Sequence, residues 1–111
     1  MGIDIANNIK AVELLKVEIL QDITDLFGDI SAEADSETRI RIAEDAANLI
    51  NMTYLLCSRL GVSYTEIVQR MCSKLRTGIE EQHILERRFG DLSTLLTQLG
   101  EDMEYYEKYE G

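Results

Sequence analysis

The stretch EDAANLINMTYLLCSRLGVS, residues 44–63, decides the fold. It holds no proline, and none occurs in the 111 residues, so the strongest helix breaker is missing. Ala46, Ala47, Leu49, Ile50, Met52, Tyr54, Leu55, Leu56 and Cys57 put apolar groups on more than one side of a helix. A helix of that kind is covered from several directions, which in a chain this short predicts a second subunit. Gly61 is placed to end the helix as a left-handed C-cap. Upstream, Asp35 or Ser36 is placed to cap its start at a free backbone N–H.

Working outward, Ile5, Ile9, Val12, Leu15, Ile19, Ile23 and Leu26 recur every three or four positions and predict a helix from about Asp4 to Phe27. Gly28 and Asp29 read as its stop, and residues 28–36 as a short acidic loop. Beyond Gly61, Ser63 and Glu66 form a capping-box pattern, with Val62 and Ile67 at the staple positions. That third helix is expected to reach Gly78 through Val68, Met71, Cys72 and Leu75. A shorter, charged helical stretch follows from Ile79 to Phe89. After Gly90 and Asp91 comes a last helix carrying Leu92, Leu95, Leu96, Leu99, Met103 and Tyr106. The expectation is a single all-α domain over 1–111, a bundle of four to five helices. Its core helices span about 4–78 and a C-terminal helical extension about 79–110.

Composition narrows the function. Hydrophobic residues make up 45% and charged residues 29%, which suits a folded chain rather than a disordered one. The net charge of −10 repels phosphate backbones, so nucleic acid is not an expected partner. A solvated surface accounts for most of that charge. A sharper reading has some of the acids converging on a divalent metal, apart from the tail acids between Glu101 and Glu110. Cys57 and Cys72 fall at apolar helical positions and read as buried, reduced thiols. The N-terminus lacks a signal-peptide pattern, and no run approaches the roughly 20 apolar residues of a membrane span. No membrane association and a cytoplasmic location are expected. There is no Gly-rich phosphate loop, and the only histidine, His83, reads as solvated.

What remains is acidic. Glu18 and Asp22 lie four apart on one face of the first helix; Glu44 and Asp45 precede Asn48 on the second. Antiparallel packing across the short loop brings these positions to comparable heights. Two facing helices that each give two oxygens frame a hard cation such as Mg²⁺, which keeps several waters and bridges to phosphates.

From Glu44 to Ser63 the sequence resembles the second half of the MazG-like, all-α nucleoside triphosphate pyrophosphohydrolase pattern. There a Glu-Glu-x-x-Asp stretch opens a helix that ends at Arg-Leu-Gly, here Arg59-Leu60-Gly61. The first helix resembles the other half, Glu-Glu-x-x-Glu, aligned on Val17-Glu18-Ile19-Leu20-Gln21. The resemblance covers about Ile5 to Gly78; the remainder is similar to a group of short proteins also called MazG-like. It implies a nucleotide ligand and Mg²⁺ as cofactor, while the broadly apolar second helix motivates a homodimer or homotetramer. It also implies Glu18, Glu44 and Asp45 as catalytic acids and Glu18, Gln21, Asp22, Glu44, Asp45 and Asn48 as metal ligands. Lys74 and Arg76 are implied at the phosphates. Val17, Gln21 and Asn48 stand where the pattern has acids, and each removes a charge that would balance the metal. Two outcomes are compatible with this: an altered working site of Glu18, Asp22, Glu44 and Asp45, or a relic site on a bundle kept for binding or assembly.

Overall fold

The computed structural model describes residues 2–31 and 35–109; the side chains of 2, 3, 102–107 and 109 lie outside the description. Five helices follow one another: α1 (Gly2–Ile30), α2 (Ser36–Arg59), α3 (Tyr64–Glu80), α4 (Ile84–Phe89) and α5 (Asp91–Tyr109). Among the described residues there is no strand. The all-α expectation therefore holds. Met103, Tyr106 and the tail acids Asp102, Glu104, Glu107 and Glu110 carry readings that lie outside the described residues.

The chain divides into two compact units, residues 1–63 and 64–111. In the first, α1 packs along α2 as a helical hairpin. The inward stripe of α1 runs through Val12, Leu15, Ile19, Ile23 and Leu26, all half-buried, and meets Ile42, Ala46, Leu49, Met52 and Leu56 of α2. Ile5 and Ile9, expected on that stripe, are instead 62% and 58% exposed. At this end of the hairpin Asn8 takes the inward place, its Nδ2 donating to the carbonyl of Arg59 at 3.1 Å.

Helix α2 starts as expected. The Asp35 side chain accepts from the Thr38 amide at 2.7 Å, and that bond holds its carboxyl below the usual carboxylate range. Thr38 is one of two buried residues among those described. The other end is a Schellman turn: Val62 N–H donates to Cys57 O, Gly61 N–H to Ser58 O, and Gly61 has φ +85°. Cys57 and Cys72 are free, as expected, but only half-buried.

Two glycines behave differently from expectation. Gly28 does not stop α1, which continues to Ile30; its backbone stays helical, and Ser31 Oγ donates to its carbonyl at 2.8 Å. Gly78 does not stop α3 either. A Cβ there would sit 2.7 Å from Leu92 Cδ1, so the glycine lets α5 approach α3 closely. The stop comes four residues later, where Gln82 takes φ +56° and His83 N–H bonds Gly78 O at 2.8 Å. The short helix thus begins at Ile84 rather than Ile79. Exposed His83 caps it by accepting from the Leu85 amide at 3.1 Å through Nδ1. Glu86 then holds the first turn of α5, accepting from both the amide and the hydroxyl of Ser93.

These roles separate under mutation. Gly28→Ala should raise stability by about 0.5–1 kcal/mol, because helical glycine costs backbone entropy and the added methyl meets nothing within 4 Å. Gly61→Ala should lower it by about 1 kcal/mol, because an L side chain is strained at that φ. Urea denaturation of both variants checks the opposite signs.

Candidate functional site

The facing stripes of α1 and α2 carry acids among their aliphatic groups. Glu18, Asp22 and Asp29 of α1 and Asp45 of α2 are all half-buried, as the hydrophobic neighbours in the same register are. Spacings of four and seven residues keep 18, 22 and 29 on the side of α1 that α2 covers.

Glu18, Gln21, Asp22, Asn48 and Met52 line one cleft of about 260 Å³ between the two helices. Four of the six expected metal-ligand positions are therefore brought together. The other two, Glu44 and Asp45, are not part of that lining. Glu44 is exposed, and its effect on the group is the repulsion it adds at Asp45. Asp45 belongs to a second cluster nearer the loop, with Asp29 as its partner.

That cluster is a chain of charges. Arg41 Nε lies 3.3 Å from Asp29 Oδ1 while its Nη2 donates to Thr38 Oγ1 at 3.1 Å. The hydrogen bond to Asp29, desolvation, and the nearby charges of Asp29, Asp25 and Glu44 push the Asp45 carboxyl up to about 6. Asp25 is engaged on its own helix, where Gln21 Nε2 donates to its Oδ1 at 2.8 Å. The buried Oδ2 atoms of Asp22 and Asp45 have no hydrogen-bond partner.

Unpartnered carboxylate oxygens beside amide oxygens match a hard, hydrated divalent ion in donor type. In charge they fall short. Among the described residues, no three Asp, Glu, His or Cys side chains stand close enough together to hold a metal ion. Gln21 donates through its Nε2 to Asp25, leaving only a neutral oxygen, and Arg41 pairs with Asp29.

Asp25, Asp29, Arg41 and Met52 were not singled out from the sequence. Placing the end of α1 at Phe27 put Asp29 in a loop. Had the helix been carried through Gly28, the series Asp22, Asp25, Asp29 at three and four residues would have marked them as one acidic edge. On α3, Lys74 and Arg76 lie two residues apart and so on different sides of the helix. Lys74 lines a concavity with Arg70, Ser73 and Thr77; Arg76 lines another with Val68, Gln69, Cys72, Ser73 and Gly100.

The Asp29–Asp45 pair gives stability a defined pH dependence. Asp45 binds its proton more tightly in the folded protein than in the unfolded chain, whose ordinary value is 3.8. Its contribution therefore grows as pH falls through about 6 toward 4 and is lost as pH rises. The thermal midpoint should be higher at pH 5 than at pH 7.5, and Asp45→Asn should flatten that difference. Below pH 4 the trend should reverse, as the carboxylates of Asp35 and Glu86, both held below their usual range by hydrogen bonds, take up protons. Circular dichroism melts across this range test both limbs.

A family model described as the MazG-like family matches residues 5–92. No curated protein and no solved structure matches the chain.

Proposed function

Since the chain belongs to the MazG-like family, we propose that it is a nucleotide pyrophosphohydrolase-type protein with a charge-depleted acidic site, weak or inactive toward nucleoside triphosphates. The observation that carries this reading is the α1–α2 cleft, whose lining combines two carboxylates, Glu18 and Asp22, with two amides, Gln21 of the same helix and Asn48 of α2. The resemblance implies acids at the positions of Gln21 and Asn48, and these two supply neutral oxygens instead.

The reaction in question is attack of water on a phosphoanhydride, with pyrophosphate leaving and a nucleoside monophosphate remaining. Mg²⁺, which Glu18 and Asp22 would hold with neutral oxygens from Gln21 and Asn48, would supply charge neutralisation at the triphosphate. For its part the chain supplies acceptors for the protons of water in Glu18, Glu44 and Asp45. Asp45 is a poor acceptor below pH 6, where it is occupied by the proton shared with Asp29. Loss of a single preorganised group costs on the order of 10²–10³ in turnover in well-studied sites. Three altered positions, Val17, Gln21 and Asn48, are therefore enough to favour slow turnover or none.

A second reading, a non-catalytic homo-oligomeric module, is favoured by a specific observation. Helix α1 carries another apolar stripe away from the cleft, Leu14, Val17, Leu20 and Phe27, each more than half exposed. Ile40, Ile50 and Leu55 are similarly exposed on α2. Exposed apolar side chains on both helices of a hairpin suit burial against a second copy, in a homodimer or homotetramer. The two readings are compatible, because a family site on an oligomeric bundle satisfies both.

Pyrophosphate release over a panel of canonical and modified nucleotides with Mg²⁺ or Mn²⁺ should stay close to background. Robust turnover abolished by Glu18→Ala would establish a working site and overturn the depletion. Millimolar Mg²⁺ with nucleotide should still raise the thermal midpoint, since a ligand at 100 times its Kd adds about 2.7 kcal/mol to the folded state. No shift with any nucleotide leaves the module alone standing. Light scattering at micromolar concentration should give a dimer or larger mass, reduced by Leu20→Asp; a monomeric mass refutes the oligomer.

A further inference from the structure

We infer that His83 is a proton-operated latch at the α4–α5 corner: its neutral imidazole caps α4, and protonation releases that cap and, through Glu86, loosens the start of α5. His83 is the chain's only histidine, and the acidic cleft makes no use of it. Its Nδ1 accepts from the Leu85 amide at 3.1 Å. A ring nitrogen that accepts a hydrogen bond carries no proton, so this geometry assigns the neutral Nε2–H tautomer. An imidazolium donates at both nitrogens and accepts at neither, so it cannot make the bond.

The corner depends on this bond because α4 has only six residues, too few to offset the cost of nucleating a turn. What fixes α4 is at its ends. His83 holds the first turn, and Gly90, at φ +70°, closes the last by donating its N–H to Glu86 O. Glu86 follows Leu85 in the same turn, and its side chain accepts from both the amide and the hydroxyl of Ser93. The cap of α5 therefore stands on the turn that His83 holds. On the other side, Gln82 sits at φ +56°, a left-handed conformation unfavourable for a residue with a Cβ, so nothing in the preceding backbone opposes relaxation.

Among the titratable groups near the ring, Lys74 of α3 lines the same concavity, to which α5 contributes Leu92 and Leu95. Glu80 and Glu81 are exposed just before the ring, Arg87 and Arg88 are exposed further along α4, and Asp91 is exposed at the start of α5. Glu86 is engaged with Ser93, and those bonds hold its carboxyl below the usual range, so it stays ionised while an imidazole titrates. The cap needs the neutral ring; it is present on the alkaline side of the imidazole range, roughly pH 5–8, and lost on the acid side. This is opposite in sign to the Asp45 effect, but Asp45 lies in the other unit, so signals local to α4 separate the two. Ile84, Leu85 and Phe89 are exposed on α4, so the latch alters the presentation of an apolar surface and is independent of the acidic cleft.

The ring nitrogens and backbone amides of the full chain are followed by NMR from pH 8 to pH 5. The ring should be the Nε2–H tautomer at pH 8, and the Leu85 and Ser93 amides should shift with the ring's own midpoint. The equilibrium between capped and open turn, read from the Cα shifts of residues 84–89, should fall about fivefold, the usual effect of losing a capping side chain. H83N, whose amide oxygen caps without titrating, should keep the Leu85 amide at its alkaline position and abolish the Ser93 shift. H83A should hold the Leu85 amide at its acid position at every pH. Circular dichroism establishes that each variant is folded, and should H83A not fold, wild type and H83N decide alone. An Nδ1–H tautomer at pH 8 overturns the latch. So does a Leu85 or Ser93 amide that fails to follow the ring, or a transition that persists in H83N.

Discussion

Along the contact between α1 and α2, Glu18, Asp22 and Asp29 occupy the same stripe as Val12, Leu15, Ile19, Ile23 and Leu26. Helix packing buries that stripe whether a position carries a methyl group or a carboxylate. Charge removed from water without a partner is unfavourable, so each acid needs a compensating arrangement. Asp29 has the Arg41 guanidinium, and the Asp45 carboxyl is pushed up by its hydrogen bond to Asp29, by desolvation and by the acids around it. The buried Oδ2 atoms of Asp22 and Asp45 are left without a partner. The hydrophobic packing that makes the hairpin is thus also what concentrates the carboxylates, and the site follows from the fold.

Those compensations bear on chemistry. A cleft built to hold a divalent ion has carboxylates whose only counter-charge is the ion. Here Arg41 supplies counter-charge to Asp29 in the neighbouring cluster, not to Glu18 or Asp22, and the cleft lining pairs those two acids with the neutral amides of Gln21 and Asn48. Fewer charges in the lining than the resemblance implies is the physical content of the proposed depletion. Val17 has the same bearing, since the position that would carry an acid presents an exposed apolar side chain on a stripe with Leu14 and Leu20.

In the second unit the decisive positions are small or polar rather than charged. Gly78 lets Leu92 approach, Gln82 turns the chain through a left-handed residue, and His83 and Glu86 cap the helices that follow. Together these place α4 and α5 against each other and α5 against α3. Among the described residues of this unit only Val68 is buried.

The sequence by itself determined the helices and most of their ends. Periodic apolar residues require a helix wherever they occur, and Asp35, Gly61 and Gly90 act on backbone groups within a few residues of themselves, so local pattern is sufficient. It also determined that Glu18, Gln21 and Asp22 lie together on one side of α1, since helical spacing sets that before any packing occurs. Only the tertiary structure decided the rest. Gly28 and Gly78 are indistinguishable from stop signals in sequence, and the second is explained by Leu92, fourteen residues on. The pairing of Asp45 with Asp29, and of Asp29 with Arg41, depends on the register of one helix against another across residues 31–35. Charge–charge partners across a helix pair are set by rotation and register, quantities that no single stretch of sequence contains.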